Sequence, residues 1–167
     1  AGISDTFHVL GERLEFEGIT PNPFAGMKST LELKSLDAVK EEFRSLGKRI
    51  SEQGLPKELT PFVVGFAGYG NVSRGAQEIF DILPYKVVEP ENLSNLESKE
   101  NILYKCVFKE EHMVEPRDSS TSFNLQDYYK TGKANYRGVF ESYVQYLSVL
   151  MNCIYWSEKY PRLISKN

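Results

Sequence analysis

The sequence predicts an α/β fold, a parallel sheet with helices packed against it, preceded by two further helices. Three observations carry this expectation. Short apolar runs alternate with stretches whose apolar residues recur every three or four positions, which is the pattern of strands separated by helices. The run Phe62 to Ala67 is apolar almost throughout, as a strand covered on both faces should be. That run ends in Gly68-Tyr69-Gly70, and the next residue already begins a helical pattern.

Taken in order, Ile3, Phe7, Leu10 and Leu14 form a helical stripe, with Glu12, Arg13, Glu15 and Glu17 on the other side. Gly18 is placed to end this helix. Ile19 to Thr30, with Pro21, Pro23 and Gly26, reads as a connector. Ser35 is placed to cap a second helix, whose stripe is Leu36, Val39, Phe43, Leu46 and Ile50 and whose stop is Gly54 with Pro56. After the first strand, Asn71 to Leu83 reads as a helix with Val72, Ala76, Ile79, Phe80 and Leu83 inward, closed by Pro84. Lys86 to Glu89 is a short second strand, Glu91 to Asn101 a polar linker, and Ile102 to Phe108 a third strand. Glu110 to Asn135 is mostly polar, with a short helix expected over Asn124 to Tyr129 and loop elsewhere. A final helix is expected from Tyr136 to Leu147, then a fourth strand from Ser148 to Trp156.

A chain of 167 residues suits one domain, 1–167, with leading helices over 1–60 and a sheet core over 61–167. With 41% hydrophobic and 26% charged residues it is globular in composition. A net charge of −3 gives no electrostatic reason to expect nucleic acid or an anionic membrane as partner. No apolar stretch reaches the roughly 20 residues of a membrane span, and no signal-peptide layout opens the chain. A soluble intracellular protein of the cytoplasm or an organelle matrix is the expectation, with homo-oligomerisation left open. Cys106 and Cys153 each lie in an apolar run and read as buried reduced thiols. The start without methionine, on what reads as a helix's first turn, suggests a piece of a longer polypeptide.

The glycine turn is the feature with chemical content. Gly68 lets the chain leave a strand in a conformation that side chains disfavour. Gly70 removes a Cβ where a pyrophosphate would approach the backbone, and the helix entrance offers N–H groups and a positive dipole end. Glu89 lies 21 residues after Gly68 and closes the second strand, where an acid holds the adenosine ribose. Ser73 replaces the third fingerprint glycine, with Gly75 and Ala76 keeping the helix face slim. Together these predict a Rossmann-like sheet of order 3-2-1-4 and a dinucleotide partner. The candidate cofactor-binding residues are Gly68, Tyr69, Gly70, Asn71, Val72 and Ser73, acting largely through backbone N–H groups, plus Glu89. Arg74 reads as a solvated residue, His8 as a packing or surface residue and His112 as an inert loop histidine, and no metal-ligand constellation, nucleophile elbow or Walker lysine is present.

Gly70 to Phe80, followed by Val88-Glu89-Pro90, closely resembles the lysine–ketoglutarate reductase half of the aminoadipic semialdehyde synthase family. Ala1 to Thr6 resembles the start of that family's interdomain helix. Asn152 to Trp156 with Pro161-Arg162-Leu163 resembles its later strand and exit, so the likeness spans nearly the whole chain. It implies the cofactor-binding domain of an alanine-dehydrogenase-like oxidoreductase of lysine metabolism, one that reduces the imine of lysine and 2-oxoglutarate to saccharopine with NAD(P)H. It also places Asn152 near the cofactor. A carboxylate at Glu89 favours NAD, yet the family includes NADP-dependent reductases, so the choice stays open. The resemblance places the acid/base and carboxylate clamps in a substrate domain outside this chain, so no catalytic residue is assigned and the isolated chain is expected to be inactive. The competing readings are another alanine-dehydrogenase-like amino-acid dehydrogenase and a non-catalytic nucleotide-binding module.

Overall fold

The computed structural model describes residues 2–165. Helix α1 (Gly2–Phe16) and α2 (Leu36–Gln53) lead into β1 (Val63–Ala67), α3 (Asn71–Phe80), β2 (Tyr85–Val87) and β3 (Leu103–Phe108). Then follow α4 (Glu110–Met113), β4 (Val114–Pro116), α5 (Leu125–Thr131), β5 (Tyr136–Gly138), α6 (Glu141–Val144) and β6 (Val149–Asn152). Ser35 caps α2 as expected, its hydroxyl accepting the Ala38 N–H at 3.1 Å, and the Gly54 N–H closes the far end on the Ile50 carbonyl. In the connector, the Asp5 carboxylate accepts the Thr30 N–H at 2.8 Å, and His8 Nδ1 lies 2.6 Å from the Met27 carbonyl. These bonds tie the irregular segment to α1.

Four strands form a parallel sheet in the order β2-β3-β1-β6. The parallel sheet is the one the alternating pattern predicts, but the order 3-2-1-4 is not. The strand that follows β2 in sequence inserts between β2 and β1. Burial gives the reason. Leu103 to Cys106 of β3 are fully covered, whereas β2 is three residues long with Lys86 and Val87 exposed. A strand with a wet face belongs at an edge, and a strand apolar on both faces belongs inside.

The two faces of the sheet carry different covers. Phe62, Val64 and Phe66 point to the face where α1, α2 and α3 pack, in a cluster of phenylalanines whose rings (Phe7, Phe24, Phe43, Phe62) lie 5.4–6.5 Å apart. Val63, Ala67, Tyr104, Cys106 and Phe108 point to the opposite face, which residues 110–147 cover. The helix expected over Tyr136 to Leu147 does not form. Tyr136 to Gly138 instead pairs antiparallel with β4, and only the single turn α6 follows. The Tyr136 phenol donates to the Asn124 carbonyl at 3.1 Å, and this long-range bond holds the segment extended against its local helical spacing. The segment expected to be loop before it holds α4 and β4, and the expected short helix forms as α5, capped by Asn124.

Candidate functional site

Strands β1, β3 and β6 end level with one another, because Ala67 pairs with both Phe108 and Asn152. At that carboxyl edge the chain leaves β1 through Gly68, whose φ of +93° lies in the left-handed region. The Gly68 N–H donates to the Phe108 carbonyl at 2.9 Å, and the Cys153 N–H donates to the Ala67 carbonyl at 3.1 Å. A Cβ at position 68 would also lie 3.0 Å from Ile154 Cγ2. Gly68 is therefore required by the fold itself.

Gly70 is different. Its φ is −73°, which any residue adopts, and a Cβ built there meets no atom within 4 Å. Nothing among the described residues demands a glycine at this position. Gly70 is also the N-cap of α3, and no side chain caps the N–H groups of the first turn. Asn71 and Val72 stand exposed, Val72 at 70%. The result is an open helix entrance whose first N–H groups and positive dipole end face the solvent-filled space above the sheet edge.

The remaining expected residues distribute unevenly. Gly68, Tyr69, Gly70, Asn71 and Val72 line one cavity of about 440 Å³ at the carboxyl edge. Ser73 is fully buried beneath it and its Oγ accepts from Gln77 Nε2 at 2.9 Å, so its hydroxyl is occupied in packing. Gly75 does not slim the face toward the sheet, since it is exposed and its Cβ position is open space. Arg74 bonds its neighbour Asn71 on the outside of the helix. Asn152 borders a separate cavity of about 340 Å³ with Leu150, Ile154, Trp156 and Arg162. Glu89 is exposed and absent from both linings. It follows β2, two strand spacings or roughly 10 Å from β1.

The polar segment after β3 supplies the wall that sequence reading missed. Glu110, Met113, Tyr128 and Tyr129 face the glycine turn across the cavity. The Tyr129 hydroxyl donates to Glu110 Oε1 at 2.6 Å, and this bond, with burial, holds the Tyr129 pKa above the ordinary tyrosine value. Tyr69 is likewise raised, first by hydrogen bonding to Glu110. Burial pushes Tyr128 up to about 12. The start of α4 is pinned by the Lys109 N–H donating to His112 Nδ1 at 3.0 Å. The opposite wall comes from Cys153, Ile154, Tyr155 and Trp156, past β6. Both cysteines are free. Burial raises the Cys106 thiol to about 12, whereas Cys153 is only half-buried, contrary to the reading of both as core residues.

No family model matches the chain. Alpha-aminoadipic semialdehyde synthase of Arabidopsis thaliana is 38% identical over 179 aligned residues, which cover 99% of this chain and 17% of that protein. The chain is a homologue of one segment of alpha-aminoadipic semialdehyde synthase. The mitochondrial alpha-aminoadipic semialdehyde synthases of Bos taurus and Mus musculus are each 30% identical, again over 99% of this chain and 18% of their own length. The chain thus spans less than a fifth of the curated synthases it matches. Among the described residues, no helix is long and apolar enough to cross a membrane.

Proposed function

We propose that this chain is the dinucleotide-binding segment of a lysine–ketoglutarate reductase. Gly70 carries the proposal: a glycine that its own fold does not require, at an uncapped helix entrance, on the carboxyl edge of a parallel sheet. The pyrophosphate lies against the N–H groups of Gly70 to Ser73, with no side chain needed for charge neutralisation. On the β6 side, Ile154 and Trp156 would give an apolar wall beside a bound nicotinamide. NAD(P)H would supply a hydride to the imine formed from lysine and 2-oxoglutarate, giving saccharopine. The homologues are named for the synthesis of alpha-aminoadipic semialdehyde, and in this reading the present segment contributes the cofactor site of such an enzyme. Two carboxylates of 2-oxoglutarate and one of lysine need cationic clamps, and no Lys or Arg lines the cavity among the described residues. The isolated chain therefore binds cofactor without turnover.

An amide-resolved NMR titration with NADH tests this reading. The expected result is saturable shift changes centred on the amides of Gly68 to Ser73, with the α1 and α2 amides unmoved. Shifts confined to the 340 Å³ cavity beside Asn152, or no saturable change at millimolar NADH, would overturn it.

A further inference from the structure

A third cavity, of about 500 Å³, shares no residue with the two at the carboxyl edge and lies within the cover that follows β3. Three pieces of chain line it: the end of the β4–β5 ribbon, the turn 118–122 and the start of α5. The Arg117 N–H donates to the Asn135 carbonyl at 2.7 Å and so continues the ribbon, and the Tyr136 phenol ties α5 to it through Asn124. Among the described residues, the formally charged lining is one guanidinium, Arg117, and two carboxylates, Asp118 and Asp127. None of the three is in an ion pair among the described residues. Local bonds hold these opposite charges apart. Arg117 Nε donates to the Lys133 carbonyl at 3.1 Å, and Ser120 donates to Asp118 Oδ1 through its hydroxyl at 2.7 Å and its N–H at 2.9 Å. We infer that this cavity binds a free amino acid with a cationic side chain.

One cation and two anions complement a ligand that carries one carboxylate and two ammonium groups. With Nε committed to Lys133, the terminal nitrogens of the Arg117 guanidinium remain to take the ligand carboxylate in a forked pair. Asp118 follows Arg117 directly, so a carboxylate and an ammonium on one α-carbon meet neighbouring residues. The Ser120 bonds also hold the Asp118 carboxyl below the usual carboxylate range, which keeps it ionised for that ammonium. Asp127 comes from the first turn of α5, a separate element, where its N–H is spent on Asn124 and its carboxylate is left for the ammonium of the ligand's side chain. The volume lies in the range of small-molecule sites. Arg117 and Asp118 are exposed, so each charge contact is weak and binding is expected in the millimolar range. Nothing in this assignment needs a dinucleotide at the glycine turn.

Amide-resolved NMR titrations of the 167-residue chain with L-lysine, L-norleucine and cadaverine test the inference. Norleucine is lysine without the side-chain ammonium, and cadaverine is lysine without the carboxylate. Lysine should give saturable shifts at the amides of residues 116–127 and 134–136 and leave those of Gly68 to Ser73 unmoved. Both analogues should bind at least about tenfold more weakly. Arg117→Gln should bring lysine down to the level of cadaverine and leave cadaverine unchanged, whereas Asp127→Asn should bring lysine down to the level of norleucine and leave norleucine unchanged. Should a variant not fold by circular dichroism, the three ligands on the wild-type chain give the same discrimination. Equal affinities for the three ligands, saturable shifts centred elsewhere in the chain, folded variants that bind lysine as wild type does, or no saturable change at tens of millimolar lysine would each overturn the assignment.

Discussion

The two faces of the central sheet are built by different means. One is covered by three helices of 10 to 18 residues, packed through phenylalanine, leucine and isoleucine. The other is covered by elements of three to seven residues, joined by tyrosines, of which Tyr129 and Tyr136 also bond through their hydroxyls. Phe123, Tyr128, Tyr136 and Tyr160 pack tilted or edge-on with centroids 5.2–6.2 Å apart. The helical face has large periodic burial and serves as the platform. The short-element face has fewer regular backbone bonds per residue and supplies the cleft wall, Glu110 and Tyr129 among it. Long helices support the sheet on one side and short elements carry the cavity-lining groups on the other, the arrangement of a scaffold that holds loops.

The sharpest way to break this contrast is to remove one buried ring from each face. Phe62→Ala on the helical face should cost about 3–5 kcal/mol and lower the whole unfolding transition. Phe140→Ala, whose ring sits 4.9 Å from Phe108, should cost a similar amount locally. Hydrogen exchange should then show residues 110–147 opening before the sheet. If both variants accelerate exchange uniformly across the chain, the two faces form one cooperative unit and the contrast fails.

A smaller effect concerns Lys105, the one buried charge on the helical face among the described residues. Lys105, in the middle of β3, reaches Asp81 Oδ1 at 2.6 Å, with its ammonium 5.2 Å from the Tyr85 ring. Asp81→Asn leaves that ammonium without its counter-charge and should cost about 2–3 kcal/mol, below the fully buried range because Asp81 is 39% exposed. Lys105→Met keeps the stem and removes the charge, so it should stay within about 1 kcal/mol of wild type. Denaturant melts of both decide it, and equal losses would mean that the lysine stem rather than the ion pair holds this face.

Legibility in the sequence follows the same division. Helices α1 and α2, the strand Phe62 to Ala67 and the glycine turn could all be read, because long periodic stripes and glycine chemistry are local signals. The segment after β3 could not, since Tyr136 is held extended by a bond to Asn124 that local spacing does not encode. Strand order failed for a related reason. The 21-residue spacing from Gly68 to Glu89 suggested that the second strand lies beside the first, although the run Ile102 to Phe108, apolar except for Lys105, beside the half-polar Lys86 to Glu89 already marked which strand lies inside.

The smallest expected effect is a gain. Gly75 is exposed within α3 and a Cβ there meets nothing, so Gly75→Ala should stabilise the chain by about 0.5–1 kcal/mol, raising Tm by roughly 1–4 °C. A loss of stability in thermal melts would show that this helix face is covered in solution, and the helical cover would then be larger than described.

Gly70→Asp tests the central claim most directly, because the glycine lies where the two faces meet at the cleft. The fold should survive, since the position has ordinary backbone angles, open space and a helix N-terminus that favours an acid. The side chain would fill the space of the pyrophosphate, and two unit charges about 4 Å apart repel by roughly 4 kcal/mol at an effective dielectric near 20. Calorimetric titration of NADH into wild type and Gly70→Asp, with circular dichroism of both, should show binding lost and structure kept. Equal affinity in the two proteins would contradict the account and leave the glycine turn a purely structural device.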